Sequence, residues 1–183
     1  MKIVLASASP RRKELMQLIT SDFEIRPSDF DESGITANTP EELVKKLAEG
    51  KALAAEYTAD ETVIGCDTVV AVGCEVLGKP KDKADAVRMM QLLSGKTHAV
   101  YTGVCILHNG HSYVFAEETK VTFFALTESE IEAYTNSAEP YDKAGAYGIQ
   151  GNAGLFVEKI EGDYNNVVGF PAARVNRVLK TLE

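Results

Sequence analysis

Two β-rich stretches, Thr97 to Leu107 and Ser112 to Phe124, flank the tetrapeptide His108-Asn109-Gly110-His111. Asn-Gly between runs of β-branched and aromatic residues is the strongest short-range hairpin signal, because both residues tolerate the positive φ of a tight turn. An antiparallel pair is therefore expected in the second half of the chain. Around it the pattern differs. Ile3-Val4-Leu5-Ala6 reads as a short buried strand, followed by a helix with Ser9 as N-cap and Pro10 in its first turn. A second strand is expected near Phe23 to Arg26, and the polar, acidic residues 28–38 read as a loop. Thr39-Pro40-Glu41-Glu42 has the form of a capping box, opening a helix to about Tyr57. Thr62 to Cys66 is the next strand, predicted to end at Asp67-Thr68, with Val69 to Val72 continuing extended. Asp82 caps a helix through Leu93, and Thr127 opens another, again as a capping box, to about Asn136. Gly145 to Gly154 reads as an irregular functional loop, Leu155 to Ile160 as a strand, and a last helix starts near Phe170. Strands and helices that alternate around one hairpin predict an α/β fold with a mixed sheet.

A chain of 183 residues implies one domain, with any two lobes sharing a core, and buries roughly 70% of its unfolded surface. The net charge of −8 disfavours a long polyanion as partner, so nucleic acid is not expected. A small anion is compatible if the basic residues cluster. Cys66, Cys74 and Cys105 show no CxxC spacing, which fits a reducing compartment. The apolar run after Met1-Lys2 is too short for a signal peptide, and no stretch approaches the ~20 apolar residues of a membrane span. The expectation is a cytoplasmic protein with no membrane partner.

Three segments carry potential chemistry. Ser7-Ala8-Ser9-Pro10-Arg11-Arg12 lies between a strand and a helix N-terminus. Free N–H groups and the helix dipole there favour an anion, and arginines can grip phosphate bidentately. The plainer reading is a capped helix with two solvated arginines; the segment lacks the pattern of a Walker loop. Gly65-Cys66-Asp67-Thr68 places an acid after a buried strand, where a carboxylate can orient water or hold a metal; a turn-initiating Asp is the alternative. Glu139 to Gly151 is the densest stretch, and Gln150 offers a donor and an acceptor to a base edge. Lys51 and Lys79 read as surface charges when taken alone. His108 and His111 beside the turn lack an accompanying third metal ligand.

Taken together, SASPRR at 7–12, the stretch at 47–52, GCDTVV at 65–70, LGKP at 77–80, SGKTHAVYTGV at 94–104, EPYDKAGAYGIQG at 139–151 and GDYNNVVGFP at 162–171 resemble the Maf-like nucleotide pyrophosphatases. The resemblance covers essentially the whole chain, as one domain over residues 1–183. It implies an α/β mixed twisted sheet with two lobes around a deep cleft, similar to the inosine triphosphate pyrophosphatases. The implied activity is hydrolysis of a nucleoside triphosphate between the α and β phosphates. The catalytic acid falls on Asp67, the phosphate contacts on Ser7, Arg11, Arg12, Lys51 and Lys79, and the substrate-selective positions on Arg11, Thr68 and Gln150. Glu32 matches a position that helps Asp67 hold a divalent cation, Mg²⁺ or Mn²⁺. Lys143 and Gln150 follow the branch acting on dTTP and UTP. Gly50 departs from the family pattern, which has a longer residue there, Ala138 replaces a usual glycine, and Cys66 a common alanine. The implied partner is a small-molecule nucleoside triphosphate, with a homodimer as an allowed assembly. Two rival readings are a non-catalytic nucleotide-binding regulator of septum formation and a nucleotidyltransferase.

Overall fold

The computed structural model describes residues 1–182. Its strands are β1 (Lys2–Leu5), β2 (Phe23–Ile25), β3 (Glu61–Val72), β4 (Glu75–Leu77), β5 (Thr97–His108), β6 (His111–Phe123) and β7 (Val157–Glu161). Its helices are α1 (Pro10–Met16), α2 (Pro40–Ala54), α3 (Lys83–Leu93), α4 (Glu128–Thr135), α5 (Tyr164–Val168) and α6 (Ala172–Leu182). The strands form one seven-stranded sheet in the order β2-β1-β3-β5-β6-β7, with β4 added to β3. β1 runs parallel to both β2 and β3, whereas β4 on β3 and β7 on β6 are antiparallel. The mixed α/β architecture expected from the sequence is the one observed.

The local signals act as their chemistry dictates. Asn109 (φ 49) and Gly110 (φ 75) both take the left-handed conformation, as a two-residue hairpin turn requires. Ser9, Thr39, Asp82 and Thr127 each accept a backbone N–H at the start of α1, α2, α3 and α4. The box at Thr127 is reciprocal. The one at Thr39 is not: the Glu42 carboxylate accepts from the N–H of Asn38 instead. Two expectations are corrected. α2 ends at Ala54 rather than near Tyr57. β3 does not stop at Asp67 but runs unbroken for 12 residues, so the acid lies inside the strand. Beyond Asp67 the end of β3, Val70 to Val72, is paired by β4, Val70 opposite Leu77, a strand too short to show periodicity.

The chain forms two compact units, and β3, β5 and β6 each contribute to both. The first contains Met1–Thr68, Thr102–Glu117 and the chain from Gly169 onward. Its core pairs small residues of α2 (Ala48, Ala52) with Val4, Val63 and Cys105. A Cβ on Gly65 would stand 2.3 Å from the carbonyl oxygen of Ala48 and 2.7 Å from the nitrogen of Ala52. One on Gly103 would stand 2.1 Å from the carbonyl oxygen of Val44. The backbone of α2 therefore lies directly on β3 and β5, at a distance that only glycine allows.

The second unit comprises Val69–Tyr101 and Glu118–Val168. Its larger core is built from α3 (Met89, Met90, Leu93), Val121, Phe123 and Phe156. His98 is buried within it, edge-on to Phe123 at 4.9 Å and to Tyr147 at 5.3 Å between ring centres. Its Nε2 shares a 2.7 Å hydrogen bond with the Tyr147 hydroxyl. Burial disfavours the imidazolium and pushes the His98 pKa down to about 4.

Two outcomes follow from these packings. Gly65→Ala should cost about 1–3 kcal/mol, the scale of overpacking against backbone that cannot yield, measured by urea denaturation. The second concerns pH. The unfolded chain protonates His98 near pH 6.5 while the folded one resists. The stability contribution is therefore complete above that pH and is lost as pH falls toward 4, by about 3 kcal/mol. Urea titrations at pH 7 and pH 4 should show His98→Gln losing less stability than the parent. An equal loss would mean that His98 is not held neutral.

Candidate active site

In the first unit the residues singled out by sequence converge around β3. α2 runs over the face of the sheet carrying Gly65 and, two residues on, Asp67, since alternate residues of a strand share a face. The close approach at Gly65 brings the last turn of α2 to the carboxylate. Lys51 Nζ donates to Asp67 Oδ1 at 2.5 Å and lies 2.8 Å from Glu32 Oε1. Asp67 is buried, and the Lys51 side chain is 18% exposed. The pair is thus largely shielded from water, where opposite charges hold each other more firmly than on an open surface.

The loop carrying Glu32 is pinned to α2. A Cβ on Gly50 would stand 2.2 Å from Phe30 Cζ, so the Phe30 ring rests where any other residue would project. Lys46 Nζ donates to the Thr36 carbonyl oxygen at 2.9 Å on the far side of the loop. The departure at Gly50 thereby gains a physical reason: it makes room for Phe30, two residues before Glu32.

The opposite side of β3 is organised by Arg12. Its Nε donates to the Gly169 carbonyl oxygen (2.9 Å) and its Nη1 to the Cys66 carbonyl oxygen (2.9 Å) and Ser7 Oγ (3.3 Å). Its Nη2 donates to Thr68 Oγ1 (3.1 Å). One planar fork thus ties the loop after β1, the middle of β3 and the entry to α6. Thr68 Oγ1 is also 3.0 Å from Thr102 Oγ1. Ser7 is buried and accepts the N–H of Ser9 at 3.3 Å. Arg11 is half-buried in the first turn of α1. Cys66, beside the acid, is a poor nucleophile, since burial pushes its thiol up to about 12.

Ser7, Arg11, Arg12, Glu32, Lys51, Asp67 and Thr68 all belong to the first unit, and Lys79 and Gln150 to the second. Lys79 is exposed just after β4. The N–H of Gly145 donates to the carbonyl oxygen of its neighbour Gly78 at 3.0 Å, which stitches the Lys79 segment to the glycine-rich one. Gln150 is exposed in a turn closed by the N–H of Gly151 on the Gly148 carbonyl oxygen, 3.1 Å. The histidines at the hairpin are engaged locally. His108 Nδ1 bonds Thr62 Oγ1 at 2.8 Å, and His111 Nδ1 the Asn109 carbonyl oxygen at 3.0 Å. Gly103, Thr102 and Gly169 also take part, through a close backbone approach, a hydroxyl pair and a carbonyl oxygen. Thr102 and Gly103 lie in SGKTHAVYTGV and Gly169 just before Phe170-Pro171, but backbone contacts and buried hydroxyl pairs leave no mark in a pattern of charges.

The family model described as Maf-like protein matches residues 2–182. The chain belongs to the Maf-like family. Among Maf-like relatives, a dTTP/UTP pyrophosphatase of Bacillus cereus (strain AH187) is 52% identical over 180 residues, covering 98% of this chain and 94% of the relative. Another, from Bacillus cereus (strain ATCC 14579), is 50% identical over 183 residues, covering 100% and 96%. Among solved structures, the Ham1 protein of Staphylococcus aureus matches with a TM-score of 0.58 at 15% identity, covering 100% of both chains. The HAM1 protein of Coxiella burnetii matches with 0.57 at 14%, covering 99% of both. At such identities the likeness is one of fold. No helix among the described residues is long and apolar enough to cross a membrane.

Arg12 provides the test of this arrangement. Arg12→Lys keeps the charge but replaces a planar fork with a single point donor. It should lower stability by about 1.5–3 kcal/mol, the range for hydrogen bonds to charged groups, and reduce turnover as well. A variant with unchanged melting temperature would show that the fork does not brace the three segments.

Proposed function

We propose that this chain hydrolyses dTTP and UTP to the monophosphate and pyrophosphate, with Asp67 as general base. The observation that carries the reading is the buried Asp67 carboxylate, bonded to Lys51 at 2.5 Å, in a chain half identical to dTTP/UTP pyrophosphatases along its length. Modified pyrimidine nucleotides fall within the same substrate class. A purely regulatory binder has little need of a shielded carboxylate placed to take a proton.

Hydrolysis of a phosphoanhydride needs positioning and charge neutralisation more than covalent chemistry. The oxygen of water attacks the α-phosphorus, and Asp67 accepts its proton. The bond from the α-phosphorus to the bridging oxygen breaks, and pyrophosphate leaves with that oxygen. Lys51 fixes the orientation of the Asp67 carboxylate, as its short bond indicates. Ser7 and the N–H groups at the start of α1 receive phosphate oxygens, joined by Arg11 and Lys79. Arg12 belongs to this set mainly as a brace, since four of its bonds go to the protein. Gln150 reads the pyrimidine edge, with Thr68 and Arg11 contributing to selection.

A divalent cation fits the donor set in part. Glu32 and Asp67 both approach one point of positive charge, the Lys51 ammonium. Two carboxylates completed by waters and substrate phosphates are a common way to hold Mg²⁺. Among the described residues no three acid, histidine or cysteine side chains gather as a protein-only cage. Glu32 and Asp67 would hold Mg²⁺ or Mn²⁺, which when bound neutralises phosphate oxygens and polarises the phosphorus. The substrate is a small molecule, the assembly a monomer or homodimer, and the compartment the cytoplasm.

Asp67→Asn preserves shape and removes the proton acceptor. It should lower kcat at least ~10²-fold, the usual scale for a positioned base. Pyrophosphate release by purified protein, assayed on dTTP, UTP and the purine triphosphates with and without Mg²⁺, checks both the base and the specificity. Near-parental turnover in the variant, or a purine preference, contradicts the proposal.

A further inference from the structure

Within the second unit, Gln150 is carried by the turn Gly148-Ile149-Gln150-Gly151, and both end residues of that turn rest on the short 3-10 segment Glu139–Asp142 and the lysine that follows it. A Cβ on Gly148 would stand 2.6 Å from Cδ of Lys143. One on Gly151 would stand 2.1 Å from Glu139 Oε1. The Glu139 carboxylate does more than fill space. Its Oε2 accepts the N–H of Asn152 at 3.0 Å, and its Oε1 accepts the N–H of Ala153 and the Tyr134 hydroxyl, each at 3.4 Å. It therefore plugs the start of the 3-10 turn Asn152–Phe156, where unpaired N–H groups would otherwise need a partner. Lys143 Nζ in turn donates to the Glu139 carbonyl oxygen at 2.6 Å, which closes the support on itself.

We propose that Glu139 is a positioning residue for nucleobase selection: its carboxylate seats the turn that presents Gln150. The inference rests on Gln150 reading the base, and it assigns Glu139 no contact with substrate. A side chain at Gly148 or Gly151 would displace the ends of Lys143 and Glu139, and with them this support. A carboxylate suits the task because two oxygens accept two successive N–H groups, whereas an amide offers one acceptor and turns a donor toward the other N–H.

The test compares kcat/KM for dTTP and dATP in the full-length protein carrying Glu139→Gln, Gly151→Ala, Gln150→Ala, or Glu139→Gln with Gln150→Ala. Hydrogen exchange at the amides of Asn152 and Ala153 is followed in parallel. Glu139→Gln should erode the dTTP preference about tenfold, chiefly through a higher KM for dTTP, with kcat within about threefold of the parent. The two amides should exchange faster. Gly151→Ala, which forces the same groups apart while leaving Glu139 intact, should reproduce the loss. In the Gln150→Ala background Glu139→Gln should change selectivity no further. If Gln150→Ala abolishes the preference while Glu139→Gln and Gly151→Ala keep it, the role of Glu139 is overturned and the reading of Gln150 stands. A preference retained in Gln150→Ala overturns both. Additive losses in the double variant would mean that Glu139 acts by some route other than Gln150.

Discussion

The first unit depends on one constraint, the contact of helix backbone with sheet backbone. α2 meets β3 and β5 at Gly65 and Gly103, where even a methyl group would collide with main-chain atoms. The helix adds only the small side chains of Ala48 and Ala52 to the cluster it shares with Val4, Val63 and Cys105. The consequence is chemical. A helix held this close delivers Lys51 to a carboxylate that points from the middle of a strand. The same helix holds Phe30 against Gly50 and so keeps Glu32 within reach of the same ammonium. Charge placement in this protein is a by-product of packing distance.

Arg12 serves the other face of β3 in a complementary way. A guanidinium bonded to three separate segments removes freedom from the loop that follows β1. The Ser7 hydroxyl is fixed by that fork and by the N–H of Ser9. The Ser7 hydroxyl is therefore held in one place, and a group fixed in advance in this way lowers the cost of binding whatever it contacts.

Much of this was legible in the sequence, and the rest was not for identifiable reasons. Caps at Ser9, Asp82 and Thr127 and the turn at Asn109-Gly110 are local chemistry, so they read directly. Asp67 reads from the sequence as a candidate acid at a strand end, but it lies inside β3, which β4 pairs further along through a contact that three residues cannot announce. Lys51 read alone as a surface charge, and only the close approach of α2 shows why it is not one. The sequence offers Arg12 only as a candidate phosphate ligand, while its bonds to carbonyl oxygens of Cys66 and Gly169 depend on tertiary neighbours 54 and 157 residues away. Glu139 was visible as part of a dense motif, but nothing in the motif says that its carboxylate accepts the N–H groups that follow Gly151.

The proposed chemistry requires Lys51 and Asp67, bonded at 2.5 Å, to act as one unit. A double-mutant cycle on the single-turnover rate of dTTP hydrolysis, using Lys51→Met, Asp67→Asn and the two together, tests this directly. If the lysine works by orienting the carboxylate, the double variant should be no slower than Asp67→Asn alone, each costing about 10²-fold. If the two losses multiply to about 10⁴-fold, the residues act independently and the central claim fails.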